Sequence, residues 1–229
     1  FCDTVFFSNT GTSAAPDFSG GSTTNPFGLA KFGYYVAPEF VDIDGDGDLD
    51  AFIGNNLGTT VFFHNTGTST APDFSRVSTT TPFGLADVGS YAAPDFVDID
   101  GDGDLDAFIG NHLGNTVFFY NTGTSSSPDF SGGSTTNPFG LIDVGSFVAP
   151  VFADIDGDGL LDAFIGNSGG NTVFFQNTGT SAAPAFAAGF AGVAARADAS
   201  TVDVSTNGDT TDISAATLSL STAVTAVND

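Results

Sequence analysis

The segment Asp42-Ile43-Asp44-Gly45-Asp46-Gly47-Asp48-Leu49-Asp50 decides the fold, because it recurs twice at a fixed distance. Its copies run from 98 to 106 and from 154 to 162, so the repeat is 56 residues long. Five carboxylates within nine residues repel one another unless a cation neutralises them. The two glycines let the backbone turn back on itself. Clustered hard oxygen ligands on a tight turn are typical of Ca²⁺ sites.

The pattern D-x-D-x-D-G-x-x-D predicts side-chain ligands at positions 1, 3, 5 and 9 of each loop and a backbone carbonyl ligand at position 7. Leu160 supports the carbonyl, because it stands at position 7 of the third loop where the other loops have aspartate. The predicted metal-ligating residues are Asp42, Asp44, Asp46, Asp48, Asp50, Asp98, Asp100, Asp102, Asp104, Asp106, Asp154, Asp156, Asp158, Leu160 and Asp162. We therefore predict about three Ca²⁺ ions, one in each loop. The alternative is a solvated acidic turn that binds no metal.

The residues around the loop exclude an EF-hand. An EF-hand loop starts in the same way but closes with glutamate at position 12, where this chain has Ile53, Ile109 and Ile165. Apolar runs that resemble strands stand on both sides of the loop, at 40–41 and 51–53. The loop is therefore predicted at the tip of a β-hairpin.

This loop between short strands, in a unit of this length, resembles the FG-GAP/VCBS repeat. Phe-Gly pairs strengthen the resemblance, which covers about residues 4–189. The pairs are Phe27-Gly28, Phe83-Gly84 and Phe139-Gly140. Integrin α-subunit heads and many large secreted bacterial proteins carry such repeats. The resemblance implies that each repeat is a four-stranded propeller blade, with Ca²⁺ bound between its first two strands.

The predicted class is all-β, with β-propeller-type blades of about four strands and a β-hairpin tail at the C-terminus. The strands of the first complete repeat are predicted at 38–41, 49–54 and 60–64, with the fourth near 72–74. Val61-Phe62-Phe63 is apolar at successive positions, which predicts burial on both faces of the third strand. The predicted segments are 1–37 (half blade and linker), 38–93, 94–149 and 150–189 (three repeats), and 190–229 (a non-repeat β tail).

The repeat count leaves the ring open, because three and a half blades lack two strands of a four-blade propeller. The tail has alternating segments at 200–206 and 217–221, with the turn pair Asn207-Gly208 between them. The ending 223–229 resembles the closing edge of bacterial cadherin-like or Ig-like modules. Three uses remain open for the tail: ring closure, pairing with a neighbouring subunit, or the remainder of a further module.

Composition excludes several classes of partner. The net charge is −24, with 27 acidic residues against three basic ones. Such a chain has no basic patch to meet phosphate, so neither nucleic acid nor an anionic lipid surface is an expected partner. No apolar run is long enough to span a membrane. The 25 phenylalanines supply a core, which argues against disorder. Cys2 is the only cysteine, so no internal disulfide forms.

Catalytic residues are not apparent, so we predict that the protein is not an enzyme. The position of His64 is occupied by Tyr120 and Gln176 in later repeats, and the position of His112 by Asn56 and Ser168 in the other repeats. Both histidines are therefore interpreted as solvent-facing residues at variable positions. Glu39 is the only glutamate, and its equivalents are an aspartate and a valine.

The predicted function is an extracellular or cell-surface Ca²⁺-binding structural or adhesive protein, in a bacterial setting. The half repeat and the unmatched tail favour self-association, as in a filament or surface layer, or binding to other surface proteins. The alternative is a carbohydrate-binding module that contacts glycans through Tyr34, Tyr35 and Tyr91, which precede the first strands of their repeats.

Overall fold

The computed structural model describes residues 3–76 and 78–188, together with two short strands at 202–203 and 225–226. The chain divides into two compact units, 1–188 and 189–229. In the second unit, β15 (Val202–Asp203) pairs antiparallel with β16 (Thr225–Ala226). The turn predicted at Asn207-Gly208 and the position of Cys2 lie outside the described residues.

In the described part of the first unit, the regular secondary structure consists almost entirely of short strands. They are β1 (Val5–Phe7), β2 (Ser22–Thr24), β3 (Ala37–Val41), β4 (Asp50–Gly54), β5 (Thr60–Phe63), β6 (Thr79–Thr80), β7 (Ala93–Val97), β8 (Asp106–Gly110), β9 (Thr116–Phe119), β10 (Ser134–Thr136), β11 (Ala149–Ala153), β12 (Asp162–Gly166), β13 (Thr172–Asn177) and β14 (Phe186–Ala188). Three 3₁₀ turns, at Pro26–Gly28, Pro82–Gly84 and Pro138–Gly140, are the only helical elements in this part.

The strands form a repeating series of antiparallel meanders. β1 and β2 make a two-stranded half sheet. The first sheet is β3-β4-β5-β6, the second β7-β8-β9-β10 and the third β11-β12-β13-β14, each in chain order. The all-β class and the four-stranded repeat are therefore confirmed. Within the described residues, the half sheet is not completed to four strands, so no closed propeller is formed there.

The prediction for the fourth strand was wrong in the first sheet. That strand is Thr79–Thr80, which pairs with Val61 and Phe62, whereas 72–74 is a loop. Only in the third sheet does the fourth strand begin at Phe186, the equivalent of Phe74. The fourth strands of the first two sheets, β6 and β10, are short and exposed and consist of serine and threonine, so no hydrophobic pattern predicts them. Pairing with the third strand, rather than a hydrophobic pattern, places them.

The core lies between successive sheets. Phe52 faces forward, toward the next sheet in the chain, and packs in one cluster with Ala107 and Ile109 of the second sheet. The opposite face of the first sheet is turned toward the preceding part of the chain. There, Ile53 and Val61 pack with Leu29 of the linker. The same arrangement recurs between the second and third sheets around Phe108. Both faces of a middle sheet are therefore covered, as predicted for Val61-Phe62-Phe63.

Each Phe-Gly pair lies in a 3₁₀ turn that joins one repeat to the next. The Phe27 carbonyl accepts a hydrogen bond from the Phe74 N–H at 2.7 Å. Gly28 has φ +88, and a Cβ there would lie 2.8 Å from the Ser75 nitrogen, so only glycine fits. The same carbonyl contact recurs one repeat later, from the Phe130 N–H to the Phe83 carbonyl at 2.7 Å. The Phe-Gly pair is therefore a packing element.

The first strands of the complete sheets are neighbours, because β7 contacts both β3 and β11. Asp95 on β7 accepts a hydrogen bond from the Phe152 N–H on β11 at 3.0 Å. Glu39 stands at the equivalent position of β3. Burial, together with the nearby Asp95 carboxylate, raises its pKa to about 6. Ionised Glu39 therefore destabilises the fold.

We expect Glu39→Gln to stabilise the protein at neutral pH. The folded-state pKa of Glu39 lies above its ordinary value of 4.5, so the wild type loses stability as the pH rises from 4.5 to about 6 and above. The variant lacks this loss. Since Glu39 is half-buried, we expect a gain of only about 1–3 °C in midpoint at pH 8. Thermal unfolding at pH 4 should show no gain, and an equal gain at both pH values would contradict the explanation.

The two ends of the series are open. Phe7 in the half sheet is 52% exposed, whereas its equivalents Phe63 and Phe119 are each 1% exposed. At the other end, Phe164 and Phe174 of the third sheet face forward and are only partly buried. The faces between these ends are covered by a neighbouring sheet or by a linker. These outer faces lack such cover in the described unit.

Candidate metal centres

Each Asp loop connects the first and second strands of a sheet, at the hairpin tip where the sequence predicts it. Position 9 of the loop is the first residue of the second strand: Asp50 begins β4, Asp106 begins β8 and Asp162 begins β12. Gly45 and Gly47 have φ values of +74 and +91, and the equivalent glycines of the other loops are also left-handed. Only glycine takes this backbone without strain, so the glycines let the loop curl around its carboxylates.

The carboxylate at position 1 organises the loop backbone. Asp42 Oδ1 accepts the Gly45 N–H at 2.8 Å, and its Oδ2 accepts the Gly47 N–H at 3.0 Å. Asp98 and Asp154 make the same two bonds in their loops. A carboxylate has about four lone-pair directions, so these oxygens retain the capacity to bind a cation.

The carboxylate at position 9 is buried, and only one of its two oxygens accepts a hydrogen bond. Asp50, Asp106 and Asp162 are each no more than 2% exposed. Their Oδ1 atoms accept backbone N–H groups from Asn65, Asn121 and Asn177 at 2.6–2.8 Å. Their Oδ2 atoms are buried and have no hydrogen-bond partner. A buried anionic oxygen without a partner is costly, and a bound cation would remove that cost.

The pKa values of these carboxyls reflect their burial. Burial raises the pKa of Asp106 to about 7 and that of Asp50 to about 6, against the lowering effect of the asparagine N–H. Burial likewise raises the pKa of Asp162. Asp104 has a raised pKa for the same reason, with neighbouring aspartates of its loop adding to the shift. Without a cation, therefore, these four carboxyls resist ionisation.

The structure brings most of the predicted ligands together. In each loop, positions 1, 3 and 5 offer carboxylate oxygens within 4.8 Å of one another: Asp42, Asp44 and Asp46; Asp98, Asp100 and Asp102; and Asp154, Asp156 and Asp158. In the first loop, Asp50 at position 9 also lies within this distance of Asp44. Hence the Asp loops could hold metal ions. Position 7 belongs to none of these groups, and its carbonyl ligand stays a prediction.

Comparison with known families gives the same repeat. The profile of the FG-GAP-like repeat matches residues 42–109 and 98–165, which together span more than half of the chain. The chain belongs to the FG-GAP-like repeat family. A comparison with curated proteins gave no significant match. Among the described residues, there is no helix long and apolar enough to cross a lipid bilayer.

Sequence reasoning missed the asparagine that supports each FG-GAP loop. Asn65 is 3% exposed and lies two residues beyond the end of the third strand. Its N–H binds Asp50, its Nδ2 donates to the Leu49 carbonyl at 3.2 Å, and its Oδ1 accepts the N–H groups of Gly67 and Asp73. Asn121 and Asn177 repeat these contacts. The sequence Asn-Thr-Gly, which recurs near the end of the third strand of each repeat, is the pattern from which this role could have been predicted.

The residue just before that asparagine also contacts the loop. His64 is exposed, as predicted, but its Nε2 lies 3.3 Å from Asp44 Oδ2. The Tyr120 hydroxyl donates to Asp102 at 3.2 Å, and Gln176 Nε2 donates to Asp156 at 3.1 Å. The interpretation of His64 as a solvent-facing residue alone was therefore incomplete: at this position, a different side chain covers each FG-GAP loop.

A row of aromatic rings lies at the opposite end of the sheets, where the linkers lead into the first strands. Tyr35, Tyr91 and Phe147 occupy the same position in successive repeats, each with a left-handed φ between 52 and 63. Ring centroids are 5.0 Å apart for Tyr35 and Tyr91, and 4.4 Å apart for Tyr91 and Phe147. His112 contacts both Tyr91 and Phe147. Strained backbone at bulky residues is uncommon and often marks functional surfaces.

Proposed function

We propose that the chain is an extracellular structural or adhesive protein whose three Asp loops each hold one Ca²⁺ ion. One observation carries this proposal: the buried, unpartnered Oδ2 atom at position 9 recurs in all three loops. Oxygen donors from several aspartates surround a tight glycine turn, which suits the irregular coordination of Ca²⁺ better than the strict octahedron of Mg²⁺. In this role the ion is structural, because it joins the two strands of the hairpin.

The extracellular setting follows from the affinity expected of such loops. Extracellular Ca²⁺ modules bind with dissociation constants of about 10⁻⁴–10⁻³ M. Cytosolic Ca²⁺ is too dilute to fill sites of that affinity. Empty loops would leave their carboxylates repelling one another in a chain of net charge −24. Membership of the FG-GAP-like repeat family supports the same setting, since its repeats are typical of extracellular proteins. The proposal includes no catalytic activity.

We further propose that the protein self-associates into a filament or surface layer. The support is the half sheet, which has only two strands and leaves one edge of β1 unpaired among the described residues. Val5 and Phe7 are 49% and 52% exposed there, whereas the equivalent Val61 and Phe63 of the first sheet are each 1% exposed. Exposed apolar edges normally acquire a partner strand. In this proposal, tail strands of a neighbouring copy supply it.

Negative-stain electron microscopy of matched samples in Ca²⁺ and in EGTA tests this assembly. We expect filaments or sheets in Ca²⁺ only. Phe7→Asp should stop assembly by charging the open edge, and Phe18→Asp is the matched control, because Phe18 is 55% exposed but lies outside the half sheet. Single particles at high protein concentration in Ca²⁺ would refute self-association, as would equal loss of assembly in both variants.

Glycan binding is a second candidate, favoured by the aromatic row of Tyr35, Tyr91 and Phe147. Tyr35 is 66% exposed and Tyr34 is 50% exposed. Aromatic faces of this kind pack against the apolar faces of sugar rings. A glycan array decides the matter: binding that is lost in Tyr91→Ala supports a carbohydrate site, and an array without binding removes it.

A further inference from the structure

The first Asp loop differs chemically from the other two because of the side chain that covers it. The covering residue is His64 in the first repeat, Tyr120 in the second and Gln176 in the third, and each contacts an aspartate of its own loop. A phenol and an amide offer only oxygen as a ligand. The imidazole of His64 offers a nitrogen lone pair, which is a strong ligand for transition metals.

His64 completes a group of three donors. One nitrogen of His64 and one carboxylate oxygen each of Asp44 and Asp50 lie within 4.8 Å of one another. Asp50 is 1% exposed, and its Oδ2 is buried without a hydrogen-bond partner. The group therefore contains a buried oxygen that lacks a partner, together with an imidazole that already faces Asp44.

The imidazole is held by packing. The His64 ring is stacked on Phe62, with centroids 6.2 Å apart and an angle of 19° between the planes. Phe62 is itself held against Phe52 and Phe83. A ring supported in this way loses little freedom on binding a metal, which favours affinity.

We propose that the first loop binds a first-row divalent transition metal ion, foremost Zn²⁺, through Asp44, Asp50 and His64. Zn²⁺ takes histidine nitrogen and carboxylate oxygen ligands, usually in a four-coordinate site, so these three residues leave one position for water. The second and third loops offer oxygen alone and bind hard cations. The inference goes beyond the proposed Ca²⁺ role. It predicts that Zn²⁺ and Ca²⁺ compete at the first loop, because both ions would use Asp44 and Asp50.

Histidine NMR of the full chain gives a direct test, because His64 and His112 are the only two histidines. His112 lies in the aromatic row, at the end of the sheets opposite the Asp loops. One equivalent of Zn²⁺ should shift the ring signals of His64 and leave those of His112 unchanged. Unchanged His64 signals, or equal shifts of both histidines, would overturn the proposal.

Zn²⁺ calorimetry of two reciprocal variants supplies the matched controls. His64→Gln copies the third repeat and should weaken Zn²⁺ binding at least tenfold, since even supporting residues of metal sites contribute about 10–100-fold. Gln176→His should create a second Zn²⁺ site, with Asp156 and Asp162. Equal Zn²⁺ affinity in the wild type and His64→Gln would refute the inference. Circular dichroism verifies that both variants fold.

Ca²⁺ titration of the same proteins separates this inference from the proposed function. Three Ca²⁺ ions bound by His64→Gln, with Zn²⁺ binding lost, would support both. A chain that binds Zn²⁺ through His64 but no Ca²⁺ would support the Zn²⁺ site and overturn the proposed function.

Discussion

Removal of Ca²⁺ with EGTA is expected to lower the free energy of unfolding by about 4 kcal/mol, relative to Ca²⁺ at ten times its dissociation constant. Each occupied site at that concentration adds about 1.4 kcal/mol, and three loops are present. This is a large share of the net stability of about 5–15 kcal/mol that is typical of a domain. Urea unfolding followed by circular dichroism, with and without EGTA, measures the difference.

The variant Asp106→Asn tests whether Ca²⁺ stabilises the protein through the Asp loops. The asparagine keeps an oxygen for the Asn121 N–H but removes the buried charge. We expect two bound Ca²⁺ ions in place of three and about a third less stabilisation by Ca²⁺. In EGTA the variant should be no less stable than the wild type, because burial raises the pKa of Asp106 and its ionised form is unfavourable. The control variant is Asp143→Asn. Because Asp143 lies outside the loops, this variant should retain all three ions. Three ions bound by Asp106→Asn would contradict the assignment.

Phe108→Ala is expected to lower the free energy of unfolding by about 3–5 kcal/mol, as is usual for a fully buried phenylalanine. Phe108 is 0% exposed, and its ring centroid lies 4.7 Å from Phe118 and 4.2 Å from Phe152 of the third sheet. Truncation would leave a cavity between the second and third sheets. Urea unfolding in saturating Ca²⁺ measures the loss with the loops filled.

Phe164→Ala is the matched control, because Phe164 occupies the same position in the third sheet but faces the open end and is only partly buried. We expect it to cost less than about 2 kcal/mol, since little packing is lost. Equal losses in the two variants would show that the outer face of the third sheet is covered in solution. A loss for Phe164→Ala that grows with protein concentration would indicate cover by another copy of the chain.

Metal binding and strand pairing are linked through position 9. Asp106 is the first residue of the buried strand β8, and its Oδ1 holds the N–H of Asn121 beyond the end of β9. An ion bound by the free oxygen of Asp106 would therefore act on the junction of two central strands as well as on the loop. This is why we expect Ca²⁺ to affect the stability of the whole sheet.

The fold was predictable from the sequence wherever local chemistry decides it. The Asp loops, the hairpins that carry them and the first three strands of each repeat follow from turn glycines and apolar runs. The fourth strand did not follow, because Thr79 and Thr80 carry no hydrophobic pattern and are placed by pairing with Phe62 and Val61. The roles of Asn65 and His64 were missed for a related reason: both act on aspartates at least 15 residues away in the chain.

The sequence by itself determined the repeat, its period of 56 residues and the position of each Asp loop, since these depend on residues close together in the chain. Only the tertiary structure decided which copies of a repeated segment are buried. Thr-Val-Phe-Phe occurs four times unchanged, yet its last phenylalanine is 52% exposed at Phe7 and 1% exposed at Phe63. Burial depends on tertiary neighbours: Leu29 and Phe32 of the preceding linker pack against Phe63. The same four residues at the start of the chain have no such cover among the described residues, and the segment itself is identical in both places.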